Sequence, residues 1–187
     1  MRDLYAIGNG YILYQLEYVD KNNFMELHRQ INGVNSSFLM DIMWDATLNE
    51  LSKGNDKCYS IYENENEQFC GCIELINCES NTPELGLNLV ESKRNQGIAA
   101  NVVKLLAQKI CIEHNIDFFL IRIKSNNLHS KHVFEKMGAV LIGEEHPSVM
   151  NKLKKPVGEN GIYNINDENG VVYRYKLLPE TFLHNYV

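Results

Sequence analysis

The spacing of apolar positions changes along the chain, and each change marks an element. Residues 11–19 (YILYQLEYV) are rich in aromatic and branched side chains and predict the first strand. Asp20 supplies an N-cap for a helix to Gln30, and Asn32-Gly33 reads as a turn. A second helix starts at Ser36 or Ser37 and runs to about Leu51, with Phe38, Leu39, Ile42, Met43, Ala46 and Leu48 apolar. Lys53-Gly54-Asn55 ends it. Residues 57–63 and 68–78 form two strands around the polar stretch 64–67, which reads as a hairpin.

The next strand, residues 84–90 (ELGLNLV), alternates: Leu85, Leu87 and Leu89 face one way, and Glu84, Gly86 and Asn88 the other. A polar loop, 91–95, leads into a long helix over 96–114, whose apolar positions Ile98, Val102, Leu105, Leu106, Ile110 and Cys111 recur at helical spacing. Residues 118–124 (FFLIRIK) read as an interior parallel strand, so this stretch is a βαβ unit with a right-handed crossover. A loop at 125–128, a helix to Met137, Gly138 as C-cap and a short strand at 139–143 follow. Residues 144–169 are polar and carry Pro147 and Pro156; 171–177 (VVYRYKL) form the last strand. The chain carries no repeat and no linker, so one domain over 1–187 is expected.

Composition narrows the function classes. The 187 residues suit one sizeable core, and no apolar run reaches the roughly 20 residues of a membrane span. The N-terminus does not read as a signal peptide, which makes the cytoplasm the expected location. A net charge of −6 argues against attraction to nucleic-acid backbones and is mildly compatible with a cationic acceptor such as an amine. Five cysteines, an odd number, argue against a disulfide framework. Cys70 and Cys72 would share one face of a strand. Without a C-x-x-C pair they read as reduced core thiols rather than zinc ligands, and no metal is expected.

Chemistry concentrates where the strand 84–90 turns into the long helix. A helix N-terminus has unpaired N–H groups and the positive end of the macrodipole. Gly97 and Ala99 let an anion approach this backbone closely, and Arg94 adds charge. Neither a Walker A loop nor a dinucleotide fingerprint is present. On this segment alone, a helix start with an incidental glycine serves as well as a phosphate site.

Arg94-Asn95-Gln96-Gly97-Ile98-Ala99 resembles the acyl-CoA pyrophosphate loop, Q/R-x-x-G-x-G/A, of the GNAT N-acetyltransferase superfamily. Asn127, Ser130, Phe134, Gly138 and Ala139 resemble that superfamily's later pattern, N-x-x-[SA]-x-x-x-[YF]-x-x-x-G-[FA]. The phrase NLHSKHVFEKMGA is similar to the branch that acetylates ribosomal-protein N-termini. The likeness is specific over residues 84–139 and loose elsewhere.

The resemblance implies an α/β fold with a mixed sheet of about seven strands, two splayed parallel strands (the family's fourth and fifth) and about four helices. It implies acetyl-CoA as cosubstrate, held by the loop 94–99 and by backbone groups of Leu89 and Val90, with Asn127, Ser130 and Phe134 as further contacts. A backbone N–H near Leu89 would stabilise the oxyanion. Glu84 is expected as general base, with Glu74 in reserve. Phe134 stands where the family often has a proton-donating Tyr, which favours the alternative of a non-catalytic acyl-CoA-binding domain. The expected acceptor is a primary amine of a small molecule or of a protein N-terminus. No membrane partner is expected, and a homodimer stays open. Residues 144–169 are expected to border the acceptor cleft.

Overall fold

The computed structural model describes residues 2–33, 35–146 and 170–183, the last two (182 and 183) as backbone. The chain opens with a hairpin of β1 (Leu4–Gly8) and β2 (Tyr11–Gln15). Its turn is Asn9-Gly10, with φ of 52° and 85°. This pair suits a two-residue turn with positive φ at both positions, whose twist matches that of the strands it joins. A strand over 11–19 is therefore corrected: β2 stops at Gln15, and Tyr18–Asp20 forms a 3-10 turn.

Asp20 explains the early stop. Its carboxylate is fully buried and accepts from the Glu17 N–H at 3.1 Å and the Tyr62 hydroxyl at 2.9 Å. Arg2 pairs with the same carboxylate. Asp20 stands at the N-cap of α1 (Lys21–Asn32) but its side chain does not cap that helix, because it folds back onto the turn. Gly33, at φ 65°, ends α1 in the left-handed conformation. Helix α2 (Ser37–Ser52) begins at Ser36, whose hydroxyl accepts from the Leu39 N–H.

Strands β3 (Lys57–Glu63), β4 (Phe69–Ile76) and β5 (Glu84–Leu89) follow, then α3 (Ile98–Glu113), β6 (Phe119–Lys124) and α4 (Leu128–Lys136). The chain ends with β7 (Val140–Glu145), β8 (Val172–Leu177) and a single turn, α5 (Glu180–Leu183). Among the described residues, eight strands form one sheet in the order β1-β2-β3-β4-β5-β6-β8-β7, one more than expected because of β1. Only β5 and β6 pair in parallel among the described strands. The connection over 147–169 lies outside the described residues.

The two sheet faces carry separate cores. One packs Leu13, Ile61, Ile73, Leu85 and Ile121 against Val102, Leu106 and Ile110 of α3. The other packs Cys58 and Cys72 against Phe24 and Leu27 of α1 and Met40, Met43 and Trp44 of α2. Cys70 belongs to the first core and Cys72 to the second, so the shared face expected for them is corrected. The cause is a bulge: Ile61 pairs with Gly71 but Tyr62 with Phe69, leaving Cys70 as the extra residue. Gly71 has φ 151°, and a Cβ there would stand 2.0 Å from the Asn88 carbonyl oxygen, so only glycine fits.

Candidate active site

The turn from β5 into α3 is built almost wholly from backbone. The Val90 N–H donates to the Cys70 carbonyl at 3.0 Å, and the Val90 carbonyl accepts from the Lys93 N–H at 2.9 Å. Both backbone groups of Val90 are thus engaged within the chain. Lys93 reaches back to Glu63 and Gln68, each at 2.9 Å, and ties the turn to the β3–β4 hairpin. Arg94 Nε donates to the Leu89 carbonyl at 3.1 Å, and Gln96 Nε2 to the Ser92 carbonyl at 2.8 Å.

Asn95 and Gly97 sit in the left-handed region, at φ 61° and 76°. This double reversal aims the start of α3 back along β5. Gly97 caps α3 without a side chain, so the N–H groups of the first turn (Ile98, Ala99, Ala100) have no intrahelical acceptor. A Cβ on Gly97 would meet no atom within 4 Å. Within the protein, then, the glycine is required by its φ and not by crowding, while the space above it stays open. The Ile98 side chain is buried in the core, so only its backbone faces that space.

Beyond Glu84 the parallel strands part. Glu84 and Leu120 are the single register pair between β5 and β6, marked by the Leu120 N–H bonding to the Pro83 carbonyl at 2.9 Å. The even-numbered residues of β5 direct their backbone groups to β4, as does the Val90 N–H, so Leu87 and Leu89 direct theirs to the gap. The loop 94–99 and this gap adjoin at Leu89. Asn127 caps α4, its Oδ1 accepting from the Ser130 N–H at 3.1 Å. Phe134 is buried with Ala139 in the core on the α3 side.

Carboxylates line the opposite face of β5. Glu84 is ion-paired to Arg122 on β6 at 2.8 Å. Arg122 also approaches Glu145 at 3.7 Å, and Glu145 pairs with Arg174 at 3.1 Å. Glu74 lies across from Gly86 in the β4–β5 register. Burial pushes its carboxyl up to about 7, with Glu84 and then Asp56 adding repulsion. Sequence reasoning missed Arg122, Arg174 and Glu145; the signal was Arg122 itself, a cation between Ile121 and Ile123 inside the apolar strand FFLIRIK.

A family model described as an acetyltransferase (GNAT) domain matches residues 21–140, from α1 to the start of β7. The chain belongs to the GNAT acetyltransferase family. No curated protein matches it by sequence. Among solved structures, it resembles spermidine N-acetyltransferase from Vibrio cholerae in complex with CoA and spermine, at TM-score 0.72 and 16% identity, covering 94% of this chain and 99% of that one. A chimera of that enzyme with hSSAT gives TM-score 0.73 at 15% identity, covering 94% and 99%. These likenesses show the fold.

In a GNAT acetyltransferase the acyl donor is acetyl-CoA, and the geometry here fits it. Open helix-N-terminal amides stand at one end and backbone groups facing a strand gap at the other. Arg94 makes no ion pair among the described residues, which leaves its charge available to an anion. Among the described residues, no group of three or more His, Cys, Asp or Glu side chains is arranged to hold a metal ion, and no helix is long and apolar enough to cross a membrane.

Proposed function

We propose that this chain transfers an acetyl group from acetyl-CoA to a primary amine of a small molecule or protein N-terminus, by direct attack in a ternary complex. The observation that carries this reading is the adjacency of the open α3 N-terminus to the gap between β5 and β6. The amides of residues 98–100 and Arg94 would hold the pyrophosphate, with Asn95, Gln96 and Gly97 shaping the turn. The Leu89 N–H would face the acyl oxygen and stabilise negative charge there. Val90 serves as the anchor of the turn, since its own groups are spent. Asn127 and Ser130, at the start of α4, would flank the cofactor arm. Phe134 forms the wall behind it.

The thioester supplies an activated acyl group. The chain must align the amine with it and remove one proton. Phe134 offers no proton to the leaving sulfur. That step is dispensable, because a thiolate is a competent leaving group at neutral pH. The similar solved structure that contains spermine makes a polyamine the first acceptor to try, and the likeness of residues 127–139 to the ribosomal N-terminal branch makes a peptide amine the second.

Incubating the protein with acetyl-CoA and either spermine or a peptide with a free N-terminus tests the proposal. Mass spectrometry should show one added acetyl group on an acceptor. Gly97→Glu should abolish it, by adding charge repulsion and forcing a side chain into φ 76°. Acetyl-CoA binding without product on any primary amine would favour the binding-domain alternative.

A further inference from the structure

We infer that Glu74, not Glu84, is the general base, and that Glu84, held in place by Arg122, is a positioning residue beside it. This deepens the acetyl-transfer reading and rests on it. The argument begins with where each carboxylate stands. Glu84 occupies the closed end of the parallel pair, at the one position where β5 and β6 still pair. Glu74 lies opposite Gly86, two residues further toward the open gap.

Gly86 has no side chain to cover it. A Cβ built on Gly86 would stand 3.5 Å from Glu74 Oε2. The carboxylate therefore lies over a bare stretch of β5, at contact distance from where a side chain at 86 would begin. Glu84 in contrast already has a partner: its carboxylate faces the Arg122 guanidinium at 2.8 Å. Its carboxylate is thus committed to Arg122 rather than open to an incoming amine.

The strongest influences on Glu74 raise its proton affinity. From β3, the protonated Cys58 thiol is a weak, long donor to Glu74 Oε1 at 4.0 Å, too distant to offset them. Asp56, just before β3, and Glu84 on β5 add negative charge, and burial adds the largest push. Helix α1 packs against β4, and its buried titratable group, His28, is kept neutral by burial. The Arg122 charge is shared between Glu84 and Glu145. Of these two neighbouring carboxylates, Glu84 is engaged by the Arg122 guanidinium, while burial and the nearby negative charges push the Glu74 carboxyl up to about 7.

In the reaction, Glu74 accepts one proton from the attacking amine, directly or through one water. The nitrogen–carbon bond forms as the carbon–sulfur bond breaks, and that bond's electron pair stays on the sulfur. The thiolate leaves as such, and Glu74 returns its proton to solvent. Nothing else is consumed.

Two readouts test the assignment, one of them independent of turnover. In protein carrying ¹³C-carboxyl glutamate, one carboxyl resonance should titrate near pH 7, vanish in Glu74→Gln and move to lower pH in Glu84→Gln. With acetyl-CoA and spermine, Glu74→Gln should lower kcat by about 10²–10⁴-fold. Glu84→Gln should retain turnover at alkaline pH within about tenfold, with the acid limb of its pH–rate profile moved down. The assignment is overturned if no glutamate titrates near pH 7, or if Glu84→Gln shows the large loss and Glu74→Gln does not. Failure of the wild-type chain to bind acetyl-CoA at all would instead remove the acetyl-transfer reading, and the carboxyl titration would still decide the tuning of Glu74.

Discussion

The two faces of the sheet are made of different material. Under α3 the core is mostly Leu, Ile and Val, with Leu106, Val102 and Val103 fully enclosed. Under α1 and α2 it is Phe, Met, Trp and Cys, and it contains polar atoms in odd positions. Asp20 and Ser60 are fully buried. Both ring nitrogens of His28 and the indole nitrogen of Trp44 are buried without a hydrogen-bond partner. Glu74 belongs to this second face, and its pKa is far from that of a free carboxylate. The comparison teaches that shape and reactivity are separated by the thickness of one sheet. The apolar face fixes the direction of α3, and so where an anion can sit. The other face carries Glu74, the buried carboxyl whose protonation can change near neutral pH, at a cost in stability.

The largest structural effect should come from the apolar side. Leu106→Ala should destabilise the fold by about 2–5 kcal/mol in chemical denaturation, through lost transfer energy plus a cavity. Turnover per folded molecule should change only a few-fold. A small loss of stability, or a collapse of turnover in the folded fraction, would break the division between the faces.

A smaller effect of opposite sign should come from the polar side. The folded-state pKa of Glu74, about 7, lies above the ordinary 4.5, so the folded chain holds an extra proton between those values. Stability on this account falls as pH rises through that window. Glu74→Gln should therefore raise stability at pH 8, by on the order of 2 kcal/mol, and change it little at pH 4. A thermal-denaturation series across this range checks it. Equal effects at both ends would show that Glu74 is an ordinary surface carboxylate.

Most of the fold was legible because its elements follow hydrophobic period. The bounds of β3, β5, α3 and β6 fall within two residues of those expected from alternation and helical spacing. What escaped was set by single contacts across the sheet. The Asn9-Gly10 turn carried a hairpin signal that the short, half-exposed β1 did not reinforce with apolar alternation. The bulge at Gly71 has no local signature, because it answers the Asn88 carbonyl on the neighbouring strand. At the site, the loop 94–99 could be read since backbone geometry dictates its residue types. The choice between Glu84 and Glu74 could not, because it depends on Arg122, which arrives from β6 some 38 positions later in the chain.

Hydrogen–deuterium exchange with and without acetyl-CoA tests the central claim, that a cofactor is gripped by backbone at one edge of the apolar face. The account predicts new protection at the amides of residues 98–100 and at Leu87 and Leu89, with α1 and α2 nearly unchanged until an amine acceptor is added. Protection confined to α1 and α2, or absent from the start of α3, would contradict it.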